Sequence, residues 1–256
     1  MGPLVTGHFG EWLQGRMGPA GPVVLVTVAC DQFWMATGGE TAFRSPFSEA
    51  SIEAFLAQLG LGGAPCELAS NMRLGVGAGA STASLVALAR SAGFNGLPDE
   101  LAAACLAIEG ATDPLMFPTP DRLLWASRAA RIVSQMPPPP VCDIVGGEFG
   151  APVPTDPADQ QFPDVEDLCK AWPTVSDLSQ AATIASESAR RLSDFRGETE
   201  DFAELARDMG ARGHVRAHTG CLRGLIFEPG RVPTDAHAQL EEAGGTSIIQ
   251  FRTGGR

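Results

Sequence analysis

Residues 75–83 read Gly-Val-Gly-Ala-Gly-Ala-Ser-Thr-Ala and lead into a stretch of small and apolar residues that runs to Arg90. Glycines at 75, 77 and 79 let backbone N–H groups turn inward where a Cβ would clash. The free amides and dipole of a helix starting there favour an anion such as phosphate. Ser81 and Thr82 put hydroxyls at the same helix start, where they can cap it, touch a phosphate oxygen or ligate Mg²⁺. A tight turn followed by an N-cap accounts for the same residues.

Transfer of a phosphoryl group needs such a cradle, a Mg²⁺ site made from a hydroxyl and one or two carboxylates, and often a base beside the acceptor hydroxyl. Glu109 and Asp113 are the candidate carboxylates. Glu109 also fits a solvated last helical turn, and Asp113 before Pro114 fits an N-cap with proline at N1. In residues 7–15, three glycines surround His8, Glu11 and Gln14. A hairpin turn explains these glycines but not Glu11 and Gln14, which are candidates to hold a cationic or hydroxylated small molecule. His8 shows no recognisable partner and reads as structural. A third glycine-bearing stretch, residues 216–227, contains His218, Thr219 and Gly220 and enters a strand; Cys221 next to His218 is weak evidence for a thiol nucleophile.

These residues need elements to position them. Residues 22–29 and 33–37 read as strands, and residues 48–59 as a helix capped by Ser48 or Ser51. The helix after the glycine loop ends near Gly93, and Asp99 caps another that stops at Gly110. A polar, arginine-bearing helix is expected over residues 120–133. The run Pro137-Pro138-Pro139-Pro140 reads as a stiff connector, which sets a boundary between domains 1–136 and 137–256. Beyond it come a strand at 141–145, an acidic, proline-broken loop at 151–167, helices at 176–195 and 199–209, a strand at 222–227, a helix at 234–243 and a strand at 247–251. The alternation is that of an α+β protein.

The chain has 256 residues and a formal charge of −12, with one lysine among its basic residues. That charge argues against a nucleic-acid or anionic-membrane surface, both of which require a clustered basic face. An anionic small molecule can still be met by amides, a metal and single arginines such as Arg16, Arg73, Arg216 or Arg223. The start of the chain lacks the pattern of a signal peptide and no long apolar run is present, so a soluble, cytoplasmic protein is expected. The six scattered cysteines, including Cys66, read as reduced, mostly buried thiols.

Taken together and in order, the three glycine stretches and the 108–113 segment resemble the GHMP kinase superfamily, and within it the L-threonine kinase branch linked to propanediol utilisation and cobalamin synthesis. Gly7, Gly10, Glu11, Gln14 and Gly15 match its opening Gly-x-x-Gly-Glu-x-x-Gln-Gly pattern. Gly75, Gly77, Gly79 and Ser81 match its phosphate loop, Ile108, Glu109, Thr112 and Asp113 its Ile-Glu-Pro-Thr-Asp stretch, and Ala217 to Gly220 its Ala-His-Ser-Gly stretch.

The resemblance implies a two-domain GHMP kinase fold, with an N-terminal domain like the second domain of ribosomal protein S5 and a ferredoxin-like C-terminal domain. It implies that Gly75, Gly77, Ala78, Gly79, Ala80, Ser81 and Thr82 hold ATP, that Ser81 and Glu109 approach Mg²⁺, and that Asp113 lies near the acceptor hydroxyl. Glu11, Gln14, Arg16, His218, Thr219 and Gly220 would meet the substrate.

The chain departs from the pattern at Ala80, where a serine is usual, at Gly110, where proline is usual, and at Thr219. Trp12 replaces an aliphatic residue and suggests a remodelled acceptor pocket. The acceptor could then be L-threonine, serine, homoserine or aminopropanol, and a non-catalytic nucleotide sensor is a further alternative. The G-x-G-x-x-G/A pattern of a dinucleotide fold is also met, but the clean preceding strand and the acid about 20 residues on are missing.

Overall fold

A computed structural model describes residues 2–62, 67–198 and 201–255. Cys66 and Thr199 lie outside the described residues. The chain forms, in order, β1 (Val5–Arg16), β2 (Val23–Thr37), β3 (Ala42–Phe43), α1 (Glu49–Gln58), β4 (Leu68–Ser70), α2 (Ala80–Ser91) and α3 (Pro98–Glu109). It continues through β5 (Leu123–Ala126), β6 (Arg131–Gln135), β7 (Cys142–Glu148), α4 (Glu166–Ala171), α5 (Leu178–Arg196), α6 (Asp201–Asp208), β8 (Gly213–Arg216), β9 (Leu222–Phe227), α7 (Ala236–Glu242) and β10 (Thr246–Thr253).

One sheet runs in the order β10-β7-β9-β8-β1-β2-β4-β3, with the β5–β6 hairpin attached to β2. All its strand pairings are antiparallel. This is a mixed α+β fold; among the described residues the single parallel bridge, Arg16 to Asp164, lies outside any pair of strands, so the βαβ crossover of a dinucleotide fold is missing there. Among the described residues no helix is long and apolar enough to cross a membrane.

The helices begin and end where local chemistry requires. Ser48 Oγ accepts the Ser51 N–H and Asp177 Oδ1 the Gln180 N–H, opening α1 and α5. Gly110 and Gly197 close α3 and α5 at φ 72° and 68°, a left-handed geometry that costs a glycine little. Asp99 does not cap α3: Leu97 holds that position, Pro98 follows it, and Glu100 Oε2 accepts the Leu97 N–H at 3.2 Å.

Three expectations are corrected. Residues 7–15 do not turn; they lie within the bulged strand β1, against a β2 that joins both expected strands into one. Residues 120–133 form a short 3₁₀ turn and then the β5–β6 hairpin rather than a helix. All four residues of β5, Leu-Leu-Trp-Ala, are buried, and adding them to the side of β2 hides a continuous apolar run that a one-faced helix would half expose. Third, α4 occupies the end of the expected acidic loop.

The main core gathers Phe9, Trp12 and Leu13 of β1, the valines of β2 and the inner faces of α2, α3 and α5. Trp12 packs on Trp172 with ring centroids 5.8 Å apart. Cys30, Cys105, Cys142, Cys169 and Cys221 are buried free thiols.

Candidate active site

The loop before α2 is held by its carbonyls. Gly75 O accepts from Val153 N, Val76 O from Cys221 N and Leu222 N, and Ala78 O from His8 N. Its amides face the other way: among the described residues no protein acceptor takes the N–H of Gly77, Ala78, Gly79, Ala80, Ser81 or Thr82. Gly77 has φ 93°, and a Cβ there would lie 2.3 Å from the Ala217 Cβ. Gly79 caps α2 at φ 76°, where a Cβ would meet the His8 ring at 2.9 Å. Glycine is required at both positions by backbone conformation and by close packing. These amides open onto a cavity of about 390 Å³, whose wall includes Gly75, Gly77, Ala78, Gly79, Ala80 and Ser81.

At the head of α2, Ser81 Oγ donates to Glu109 Oε2 and Thr82 Oγ1 to Glu109 Oε1, each at 2.7 Å. Thr82 Oγ1 also accepts the Asp113 N–H at 3.1 Å. Thr82 therefore ties the end of α3 and the following turn to the glycine loop. Burial pushes the Glu109 carboxyl up to about 8; the Thr82 and Ser81 hydroxyls pull it back and Asp113 raises it further. Glu109 is thus not a solvated last-turn acid. Ser81, Thr82 and Glu109 form an all-oxygen donor set that suits a hard divalent cation retaining water and phosphate ligands. Among the described residues no group of three or more His, Cys, Asp and Glu side chains is placed to hold a metal unaided.

In a regular strand, His8 and Glu11, three apart, would point to opposite faces. The register of β1 against β2 shifts between them: His8 is paired with Ala29 and Glu11 with Thr27. This bulge, with Gly10 at φ 64°, turns both side chains onto the cavity wall. His8 Nε2 lies 3.4 Å from Asp113 Oδ2 and Nδ1 lies 3.6 Å from Glu11 Oε1. Burial alone would pull the His8 pKa down, but Asp113, then Glu11 and the Gly10 carbonyl, outweigh it and raise it to about 9. Burial raises Glu11 to about 8, against the opposing pull of His8 and the His218 N–H. His8 is therefore a resident imidazolium at neutral pH, and sequence reading missed it because both partners are brought to it by the bulge and by the chain after α3. Asp113 caps nothing, since no helix starts at Pro114. Its side chain is 26 % exposed while that of His8 is 3 % exposed, so Asp113 is the member of the pair that a substrate can reach.

The β5–β6 turn brings Ser127 and Arg128 to the cavity beside His218 and Thr219. Arg128 Nη1 donates to Ser127 Oγ at 2.9 Å and lies 3.2 Å from His218 Nε2. The His218 ring stacks on Phe162 at 4.1 Å, and the His218 backbone N–H donates to Glu11 Oε2 at 2.5 Å. Burial first, then Arg128 and Arg196, hold the His218 pKa well below its ordinary value, so it is neutral. Arg128, hidden in the segment expected to be helical, is the second functional candidate that the sequence did not single out. Thr219 Oγ1 pairs with Thr155 Oγ1 at 2.7 Å.

Other expected contacts lie elsewhere. Gln14 is turned away, with its N–H bonded to Ser188 Oγ and its Nε2 to Arg216 O. Arg16 donates to Gln160 O and Gly21 O. Neither lines the cavity, nor does Gly220, whose backbone underpins Val76 and Gly77. Trp12 is a core residue and does not line this cavity. Arg216 and Arg223 pair with Glu198, and Arg73, at the cavity, pairs with Glu148.

No family model and no curated protein matches this chain. Solved structures do. The chain is similar to a mevalonate kinase at TM-score 0.62 and 10% identity, over 99% of this chain and 100% of that one. It is similar to the L. major mevalonate kinase in complex with R-mevalonate at 0.58 and 10%, over 99% and 95%. It is also similar to a 4-(cytidine 5'-diphospho)-2C-methyl-D-erythritol kinase at 0.54 and 15%, over 100% of both chains. The chain therefore shares the mixed α+β fold of these small-molecule kinase structures.

Proposed function

We propose that this protein is an ATP- and Mg²⁺-dependent small-molecule kinase that phosphorylates the side-chain hydroxyl of L-threonine, giving O-phospho-L-threonine for the side chain of cobalamin. The observation that carries this reading is the run of amides from Gly77 to Ser81 without protein acceptors, on one cavity wall with Ser81 and Glu109, whose carboxylate Thr82 holds from behind that wall. The amides would hold the phosphates of ATP. Ser81 and Glu109 would hold Mg²⁺, which supplies charge neutralisation on the transferring group. Asp113, held against His8, would accept the proton as the threonine oxygen bonds to the γ-phosphorus and the bond from that phosphorus to the bridging oxygen breaks, releasing ADP. Most of the catalysis would be positioning and electrostatics.

The same reading keeps residues 1–136 and 137–256 as two domains, the second ferredoxin-like. The test is ADP release from ATP across threonine, serine, homoserine and aminopropanol. Turnover fastest with L-threonine is the expected result. Turnover fastest with another member of the panel would reassign the acceptor. ATP binding with turnover of none would favour a nucleotide sensor, the reading that Ala80 supports. No ATP binding would remove both.

A further inference from the structure

Two arginines line the cavity, Arg73 and Arg128. Arg73 is neutralised by Glu148. Arg128 has no direct ion pair among the described residues, and Asp113, Asp159 and Asp156 act on it only through space: its Nη1 meets the hydroxyl of Ser127 and the ring of His218, while its Nε and Nη2 are buried and have no hydrogen-bond partner among the described residues. Nε–H and the neighbouring Nη–H form one edge of the planar guanidinium, the fork that receives a carboxylate through two parallel bonds. Buried donors of a charged group left without acceptors are costly, and on a side chain that lines a cavity they point to an anion that completes them. Arg196, the other guanidinium near Phe162 at 5.0 Å, already has Asp159.

We propose that Arg128 is the receptor for a carboxylate on the acceptor, so that the substrate class is an alcohol bearing a carboxylate rather than a simple amino alcohol. The transferring phosphate has the loop amides. Arg128 is placed by the β5–β6 turn, with its guanidinium 5.2 Å from the Phe162 ring and one nitrogen on His218, so the fork is fixed before any ligand arrives. This deepens the kinase reading and rests on it for the identity of the acceptor, though its test does not require turnover.

L-threonine and 1-amino-2-propanol share the secondary alcohol and the amine and differ in the carboxylate. The ratio of kcat/KM for L-threonine to that for 1-amino-2-propanol is expected to fall roughly ten- to a hundredfold in Arg128→Gln, the range of a hydrogen bond to a charged group. Partial recovery is expected in Arg128→Lys, which restores the charge without the fork. An equal loss on both acceptors would put Arg128 on the transferring phosphate and overturn the inference, as would no loss. Should Arg128→Gln fail to fold, the lysine variant carries the same comparison with a smaller expected loss. Should nothing be phosphorylated, the kinase reading fails, and calorimetric titration of L-threonine in the presence of a non-hydrolysable ATP analogue decides this inference separately. Binding by the wild-type protein that weakens at least tenfold in the variant supports it, and no binding by the wild-type protein overturns it.

Discussion

The two walls of the cavity, the glycine-loop wall proposed to face phosphate and the wall proposed to face the acceptor, differ in how the chain makes them. Ser81 and Glu109 are 28 positions apart, and the open amides beside them belong to one continuous loop. The other wall joins Glu11 to His218 across 207 positions and adds Asp113 and Arg128 from two further stretches. The first wall is a property of a short sequence, and its geometry follows from glycine φ values and a helix start. The second exists only when β1, β8 and the β5–β6 hairpin are in register, and its chemistry depends on the bulge that brings His8 and Glu11 to one face.

If the division of labour is right, Asp113→Asn gives the largest effect, a fall in kcat of about 10²–10⁴-fold with affinity for an ATP analogue kept. Turnover within a few-fold of wild type would remove Asp113 as the base and leave the acceptor wall as a binding surface only. Gly77→Val attacks the other wall. A side chain at φ 93°, in contact with Ala217, should weaken nucleotide binding by about ten- to a hundredfold through strain and lower the melting temperature; calorimetry with an ATP analogue would read it.

Smaller effects separate the two hydroxyls. Ser81→Ala should raise the Mg²⁺ concentration for half-maximal rate by roughly three- to tenfold, with kcat at saturating Mg²⁺ nearly kept. Thr82→Ala should lower kcat as well, because Thr82 Oγ1 also holds the Asp113 N–H. Identical metal titrations for the two variants would contradict the placement of Ser81 at the metal.

The smallest effect is on stability. The folded-state pKa of His8, about 9, lies above its ordinary 6.5, so its contribution is complete below pH 6.5 and is lost as pH rises through about 9. The Glu11 and Glu109 carboxyls, each at about 8 against an ordinary 4.5, add a loss of the same sign between pH 4.5 and 8. The melting temperature should therefore fall between pH 6.5 and 9, and the difference between wild type and His8→Gln should shrink over that interval. A difference constant with pH would mean that His8 carries no charge against Asp113.

Which parts were legible follows the same division. The helix α2 and the glycine loop were readable because each glycine is required by its own φ and by the atoms packed against it. The end of α3 at Gly110 was readable because a left-handed residue that closes a helix is most often glycine. The β5–β6 hairpin was not: alanine and arginine at 126–131 have good helix propensity, and only the open side of β2 makes a strand of Leu123–Ala126 the better burial. Gln14 and Arg16 were expected at the substrate because they lie close in sequence to Glu11, but β1 carries them past the cavity towards α5 and the Gln160 loop.

By itself the sequence determined the glycine loop ahead of α2, the helix that follows it and an α+β architecture, because these depend on dihedral preferences and apolar periodicity within a few residues. Tertiary structure alone decided that Thr82 would bridge Glu109 to Asp113, that His8 would lie against Asp113 and Glu11, and that Arg128 rather than Arg16 would line the cavity. Each of those depends on distances between segments far apart in the chain, set by strand register and one bulge, and on the burial that follows from them.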